Sequence, residues 1–217
     1  MHITMIGTGY VGLVTGTCLA EFGHNVTCVD KVAEKIEQLQ NGRIPIYEPG
    51  LEALVNKNVS EGRLSFTTSI VESVPQAEAV FIAVGTPTSR RGDGYADLTY
   101  IFEASREIAP HLTGYTVIID KSTVPVGTAT QVERIIRQEN PEADFDVASN
   151  PEFLREGAAI NDFMRPDRVV VGVKTERARQ VMQEIYKPLY LLDTPIVSTT
   201  VETAELIKYA ANAFLAV

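Results

Sequence analysis

The segment SNPEFLREG, residues 149–157, holds two carboxylates four positions apart, Glu152 and Glu156, with an arginine between them. A carboxylate held beside a substrate can take a proton from a hydroxyl group or from water, which is general-base chemistry. One of the two glutamates is therefore a candidate base, and the other is a candidate for holding a ligand in place. The alternative is that both are acids in the first turn of a helix, where the helix dipole favours negative charge.

Three glycines follow the first predicted strand in the segment MIGTGYVG, residues 5–12. Gly7 allows a tight turn, Gly9 lets the backbone approach a pyrophosphate, and Gly12 lets the next helix pack closely on the strand. The N-terminus of that helix then presents free N–H groups and partial positive charge to phosphate oxygens. The segment predicts a dinucleotide site, and the alternative is that the glycines only form a turn.

An acidic residue lies where a dinucleotide site of this kind needs one. Asp30 ends the second predicted strand, 18 residues after Gly12, and its carboxylate can accept hydrogen bonds from both hydroxyls of a ribose. The same charge would repel a 2′-phosphate, so we expect NAD rather than NADP. Lys31 and Lys35 lie close enough to weaken this preference, and Lys35 is a candidate to cover the adenosine ribose.

Hydroxyl side chains and prolines follow two later predicted strands, in VGTPT (84–88) and KSTVPVGT (121–128). The carboxyl ends of parallel strands form the edge at which ligands bind in open α/β sheets. Thr86 and Thr123 lie closest to the ends of their strands, so they are the stronger candidates for the site. For Ser122, a role as a helix N-cap is an equally good explanation.

The last segment, residues 201–217, is rich in alanine and leucine and contains neither glycine nor proline, so it predicts a helix. Lys208 and Asn212 are four positions apart and therefore share one face of that helix. The alanines around them leave room for a ligand, and a lysine with an asparagine can stabilise a developing oxyanion. The alternative is that Lys208 is a solvated lysine paired with Glu205.

Short apolar runs alternate with amphipathic segments along most of the chain, which is typical of β-α-β units. We predict strands at 2–6, 25–30, 64–68, 79–84, 116–120, 145–149 and 168–173, and helices at 10–23, 31–41, 97–109, 127–139 and 175–187. The predicted fold class is α/β, a Rossmann-like doubly wound, mostly parallel sheet with helices on both faces, followed by a helix that is cut short. We expect a dinucleotide-binding domain at 1–199, a separate helical segment at 200–217, and a flexible loop at 89–97.

The composition argues against several classes of function. The chain has 217 residues, of which 45% are hydrophobic, so it can build a large core. A formal net charge of −9 provides no broad basic field, so we expect no nucleic-acid partner. Its apolar runs are strand-sized and no basic leader precedes one, so we expect no membrane partner and a cytoplasmic location. Cys18 and Cys28 are expected to be buried and unpaired.

Taken together, these motifs resemble the UDP-glucose/GDP-mannose dehydrogenase family, whose members oxidise an alcohol of a nucleotide sugar to a carboxylate. The resemblance spans nearly the whole chain and rests on six segments in order: GTGYVGLVTGTCLAEFGHNVTCVD, PIYEPGLE, VGTPT, STVPVGT, NPEFLREG and AELIKYAANAFLA. Six ordered motifs are far more specific than any one of them.

The resemblance implies a role for each matching residue. NAD would be bound by Gly7, Gly9, Tyr10, Val11, Gly12, Asp30, Lys35, Gly85, Thr86, Pro87, Ser122, Thr123 and Glu156. The nucleotide sugar would be bound by Glu152, Phe153, Leu154, Arg155, Glu156, Lys208 and Asn212. Glu152 and Thr123 would act on water or the substrate hydroxyl, Glu156 would reach toward the nicotinamide side of NAD, and Lys208 and Asn212 would stabilise the oxyanion. No metal ion is expected.

The reaction that the resemblance implies uses two NAD molecules. Two hydride transfers carry the alcohol to an aldehyde and then to a thioester on a cysteine, which an activated water hydrolyses. In the family that cysteine lies in a Gly-Gly-Ser-Cys-Phe stretch beyond the connecting helix, and this sequence ends at Val217 before reaching it. We therefore expect the NAD-binding half of such an enzyme, not catalytically competent alone, or alternatively a stand-alone NAD-binding module.

Within the family, STVPVGT and FLREG favour UDP-glucose as the substrate over GDP-mannose or UDP-N-acetylmannosamine. The resemblance also implies that residues 200–217 are the start of a long connecting helix. It implies a homodimer or larger assembly for a full-length parent, and it leaves the state of this chain open.

Overall fold

The computed structural model describes residues 1–89 and 96–216, so most of the predicted flexible loop, residues 90–95, lies outside the described residues. The strands are β1 (His2–Ile6), β2 (Asn25–Val29), β3 (Leu64–Thr67), β4 (Ala79–Ile82), β5 (Thr116–Asp120), β6 (Phe145–Ser149), β7 (Val169–Gly172) and β8 (Ile196–Thr199). They form one sheet in the order β3-β2-β1-β4-β5-β6-β7-β8. Every neighbouring pair is parallel except β6 and β7. The predicted doubly wound, mostly parallel sheet is confirmed.

The helices are α1 (Tyr10–Glu21), α2 (Ala33–Gln40), α3 (Leu51–Ser60), α4 (Ile70–Ser73), α5 (Thr99–Ile108), α6 (Thr128–Glu139), α7 (Ala159–Met164), α8 (Glu176–Ile185) and α9 (Val201–Leu215). Two short 3-10 segments, Ala109–His111 and Lys187–Leu192, complete the described secondary structure. All predicted helices are present, with ends close to those expected. The sequence prediction missed α3, α4, α7 and β8. These are elements of four to ten residues, in which few positions are buried and the periodic signal is correspondingly weak.

Helices cover both faces of the sheet and form two hydrophobic cores. On one face, α1, α3, α7 and α8 pack on the sheet through side chains such as Leu13, Val55 and Phe163. On the other face, α5 and α6 pack through side chains such as Ile101 and Val132. Among the described residues, no helix combines the length and apolar character that crossing a membrane would require.

Helix α1 is buried on nearly every side, because α3 and α7 lie over the surface that it turns away from the sheet. All residues from Gly12 to Ala20 are buried. A Cβ atom on Gly16 would lie 2.7 Å from the sulfur of Cys28, so helix and strand pack as closely as glycine permits. Cys18 and Cys28 are fully buried and unpaired, as predicted, and burial raises the pKa of each thiol to about 12.

Helix α9 begins against β7 and ends in solvent. The hydroxyl of Thr200 accepts a hydrogen bond from the backbone N–H of Thr203 and caps the helix. A Cβ atom on Gly172 would lie 2.7 Å from the Cβ of Ala204, which shows how closely the first turn approaches the strand. At the other end, Phe214 is 84% exposed.

A substitution at Gly12 would test whether α1 must lie so close to the turn that precedes it. In Gly12→Ala, the new methyl group would collide with the carbonyl oxygen of Gly7, which belongs to the backbone and cannot rotate away. We expect the free energy of unfolding to fall by about 2–3 kcal/mol, measured by urea denaturation without NAD. Gly114→Ala is the control, because no atom lies within 4 Å of its new methyl group. Equal stability of the two variants would contradict the prediction.

Candidate active site

The three glycines of the first turn have three different surroundings. Gly7 has φ +101°, and a Cβ atom there would lie 2.6 Å from the carbonyl oxygen of Ala83. Gly12 faces the carbonyl of Gly7, as described above, whereas no atom lies within 4 Å of a Cβ placed on Gly9. Helix α1 starts directly after Gly9, with no side-chain cap and no acid in its first turn. The open space and the uncapped N–H groups fit a pyrophosphate.

Asp30 closes this turn from the end of β2. Its Oδ2 accepts hydrogen bonds from the backbone N–H and the hydroxyl of Thr8, at 2.9 and 2.7 Å, and its Oδ1 accepts the N–H of Val32 at 3.0 Å. The ammonium of Lys35 lies 3.7 Å from Oδ2. Burial raises the pKa of Asp30, but these hydrogen bonds and the Lys35 charge outweigh it, so the pKa lies below its usual value. The carboxylate therefore stays ionised beside the glycine turn.

Two hydrogen bonds join the loops after β4 and β5 at the carboxyl edge of the sheet. The hydroxyl of Thr86 donates to the carbonyl of Thr123 at 3.0 Å. The hydroxyl of Ser122 donates to the carbonyl of Val84 at 2.8 Å, and helix α6 starts only after Gly127. The alternative of Ser122 as a helix N-cap is therefore wrong. The predicted cofactor residues Gly85 and Pro87 are exposed at the same edge.

Glu152 and Lys208 form an ion pair with little exposure to solvent. The Nζ of Lys208 lies 2.9 Å from Oε1 of Glu152, and their side chains are only 10% and 13% exposed. Oε2 of Glu152 accepts the backbone N–H of Leu154 at 2.6 Å. Glu205 instead accepts N–H groups at the start of α6, from Gly127 and Ala129. The alternative of a solvated Lys208 paired with Glu205 is therefore wrong.

The segment that carries the two glutamates is a loop. Helix α7 begins only at Ala159, so Glu152 and Glu156 are not acids in the first turn of a helix, and that alternative is wrong. Glu156 is exposed, and Arg155 is exposed and pairs with Asp162 at 2.6 Å. Asn212 is exposed as well, one turn beyond Lys208 on α9. The predicted roles of these residues stay predictions.

A cavity of about 50 Å³ lies beside Glu152 and is lined in part by Phe153, Leu154 and Lys121. Lys121, which the sequence analysis did not select, is 3% exposed and donates to the carbonyl and Oδ1 of Asn150, at 3.3 and 3.2 Å. Burial lowers its pKa to about 8, although the charge of Glu152 opposes that shift. Its position directly after β5 was the signal that could have identified it.

Two cations lie near the ring of Phe153. The Nζ of Lys208 is 5.3 Å from the centre of its ring, and the guanidinium of Arg168 is 5.4 Å from the same point. Cations at such distances are attracted to the face of an aromatic ring. The ring therefore helps to hold the Lys208 ammonium beside Glu152.

Comparison with known proteins agrees with this geometry. Residues 1–190 match the NAD-binding domain of the UDP-glucose/GDP-mannose dehydrogenase family. The chain belongs to this family. The match confirms both the resemblance seen in the sequence and NAD as the cofactor.

Relatives of known name and structure support the assignment. The chain is 63% identical, over its whole length, to UDP-glucose 6-dehydrogenase of Rhizobium meliloti (strain 1021), of which it covers 50%. It superimposes on GDP-mannose dehydrogenase from Pseudomonas aeruginosa with a TM-score of 0.94 at 39% identity, covering 100% of this chain and 50% of that one. It superimposes on UDP-glucose dehydrogenase from Pyrobaculum islandicum with a TM-score of 0.93 at 44% identity, covering 99% of this chain and 49% of that one. The chain spans about half the length of the curated relatives it matches.

The ion pair at Glu152 leads to a prediction about stability. Lys208→Met would leave a poorly solvated carboxylate without its cation, so we expect the free energy of unfolding to fall by about 2–4 kcal/mol. Lys174→Met is the control, because the pair of Lys174 with Glu133 is exposed and should contribute only about 0–1 kcal/mol. Urea denaturation at neutral pH measures both changes. A loss no larger than that of the control would contradict the prediction.

The low pKa of Lys121 leads to a prediction about pH. Above about pH 8 the folded chain loses this proton, whereas an unfolded lysine keeps it until about pH 10. Because the unfolded state then binds more protons, the contribution of Lys121 to stability rises with pH between these values. We expect the stability of the wild type relative to Lys121→Met to rise by up to about 1.4 kcal/mol per pH unit. Urea denaturation at several pH values measures the free energy of unfolding of both proteins. A difference between them that does not change with pH would contradict the prediction.

Proposed function

We propose that this chain is the NAD-binding part of a dehydrogenase that oxidises UDP-glucose to UDP-glucuronate with reduction of two NAD molecules. The observation that carries the proposal is the ion pair of Glu152 and Lys208, at 2.9 Å, which brings a carboxylate and an ammonium together with little exposure to solvent. The names of the relatives support UDP-glucose as the substrate, beginning with the 63% identical protein of Rhizobium meliloti.

The proposed binding of NAD uses the turn that Asp30 closes. The N–H groups at the start of α1 would bind the pyrophosphate, and the ionised Asp30 would accept a ribose hydroxyl. The loops held together by Thr86 and Ser122 would support the middle of the cofactor, at the carboxyl edge where β4 and β5 end. When bound, NAD supplies the acceptor for the hydride.

The proposed proton transfer uses the ion pair itself. Glu152 would take a proton from the substrate hydroxyl, or later from water, and would lose its negative charge in doing so. The attraction between its carboxyl group and the Lys208 ammonium then weakens, and that ammonium can turn to the oxygen on which negative charge develops. Thr123 would act with Glu152 on the substrate hydroxyl or the water, and Asn212 would stabilise the same oxyanion as Lys208.

GDP-mannose is the second candidate substrate, since the dehydrogenase from Pseudomonas aeruginosa named for it shares this fold with a TM-score of 0.94. Activity with GDP-mannose and none with UDP-glucose would decide for it. Two further proposals rest on the resemblance to the family: α9 is the start of a connecting helix, and a longer parent that contains this chain forms a dimer or larger assembly. A stand-alone NAD-binding module would bind NAD without any such parent.

Asp30 allows a direct test of the cofactor assignment on this chain. We expect Asp30→Asn to weaken NAD binding about tenfold to 100-fold, because a charge-assisted bond to the ribose is lost, and to narrow the preference for NAD over NADP. Asp144→Asn is the matched control, since this exposed carboxylate pairs with Arg177. Calorimetric titration with both cofactors measures the effect. Unchanged affinity in Asp30→Asn would overturn the assignment.

Glu152 allows a test of the proposed base in a full-length enzyme that contains this chain. Glu152→Gln should lower kcat for UDP-glucose oxidation about 100-fold or more, because an amide cannot accept the proton, and it should leave the Kd of NAD unchanged. Glu142→Gln, which changes an exposed glutamate, is the control. Equal losses of turnover and of NAD affinity would contradict the division of roles between Glu152 and Glu156.

A further inference from the structure

Glu48, in the segment PIYEPGLE, accepts hydrogen bonds from two distant parts of the chain. Its Oε2 accepts the hydroxyl of Tyr10 at 2.5 Å and the backbone N–H of Gly157 at 2.8 Å. Its Oε1 accepts the N–H of Ala159 at 2.9 Å. Glu48 is only 6% exposed, so both oxygens depend on these donors rather than on water.

The donors belong to the two segments that form the candidate site. Tyr10 is the first residue of α1, directly after the glycine turn. Gly157 and Ala159 follow Glu156 at the end of the loop that carries both glutamates, and α7 begins there without a side-chain cap of its own. The carboxylate of Glu48, more than 100 positions away in the sequence, accepts the N–H groups of Gly157 and Ala159 that a capping side chain would otherwise accept.

The electrostatics keep this link in place at neutral pH. Burial raises the pKa of Glu48, but the hydrogen bonds from Tyr10 and from backbone N–H groups outweigh it, so the pKa lies below its usual value. Burial and the charge of Glu48 raise the pKa of Tyr10 to about 12, so the hydroxyl remains a donor. Glu156 is a further charge that acts on Tyr10, and it raises the pKa in the same direction.

We propose that Glu48 is a positioning residue of the dinucleotide site, which fixes the loop of Glu152 and Glu156 relative to the glycine turn. The inference rests on the proposed function, because it concerns NAD bound to this chain. Glu48 would set the distance between the part of the site that holds the pyrophosphate and the part that holds the nicotinamide of one NAD molecule. It acts through Tyr10 on one side and through the backbone of residues 157–159 on the other. A ligand that contacts only the glycine turn should not depend on it.

ADP-ribose, which contains the pyrophosphate and both riboses but no nicotinamide, is the comparison that separates the two ends. In Glu48→Gln the amide NH2 faces at least one of the three donors, so the link is weakened without a large change of volume. We expect the NAD affinity of this variant to fall about tenfold, equivalent to about 1.4 kcal/mol, while the affinity for ADP-ribose is retained. Glu52→Gln, an exposed glutamate in the first turn of α3, is the matched control.

Amide hydrogen exchange, followed by NMR, provides a second measurement that does not depend on NAD. In Glu48→Gln the N–H groups of Gly157 and Ala159 should exchange faster, while those of β1 keep their protection. Tyr10→Phe removes one donor and leaves both backbone bonds, so it should preserve that protection and lower NAD affinity by less. If Glu48→Gln does not fold, Tyr10→Phe remains testable by the same titrations.

The outcomes distinguish this inference from the proposed function. A wild-type chain that binds neither NAD nor ADP-ribose would refute the proposed function itself. If the wild type binds both, an equal loss of both ligands in Glu48→Gln would show a general structural role and overturn the positioning inference. Unchanged affinity for both, or unchanged exchange at Gly157 and Ala159, would overturn it as well.

Discussion

The close contact of α1 with the turn before it is the constraint on which the site depends. Gly12 lies against the carbonyl of Gly7, and Gly7 in turn lies against the backbone after β4. Only glycine fits at these two positions, so the start of α1 is held at one depth against the sheet. The helix is then buried from Gly12 to Ala20 under α3 and α7, which leaves it no freedom to move away. Its uncapped N-terminus therefore faces one defined space.

Buried or partly buried carboxylates that accept backbone N–H groups join the loops around that space. Asp30 accepts the N–H of Thr8 and closes the glycine turn. Glu48 accepts N–H groups at the start of α7, and Glu205 accepts those of Gly127 and Ala129 at the start of α6. A charge-assisted hydrogen bond to a backbone group is short and directional, so it fixes a loop more narrowly than apolar contact does. The loops at the carboxyl edge are in this way tied to the helices behind them.

The pair of Glu152 and Lys208 differs from these links, because both partners are charged side chains that can exchange their contacts. Lys208 comes from α9, whose first turn is pressed against β7 at Gly172. The ring of Phe153 lies 5.3 Å from the same ammonium. The lysine is thus positioned by the packing of a helix on the sheet, while the glutamate is positioned by a loop. A change in the charge of either group alters the other, which is the coupling that acid-base chemistry requires.

The sequence by itself determined the fold class and the place of the dinucleotide turn, because both depend on local signals. Apolar runs of strand length predicted seven strands, and the glycines with Asp30 lie within about 25 residues of each other in a recognisable order. Short elements such as α3, α7 and β8 were missed, since few of their positions are buried and their apolar pattern is correspondingly weak. Only the tertiary structure decided that Glu152 pairs with Lys208, that Glu205 caps α6, and that Glu48 holds the loop before α7. Such contacts join residues about 50 to 110 positions apart, and no periodic pattern in a sequence records which of its charged side chains will meet.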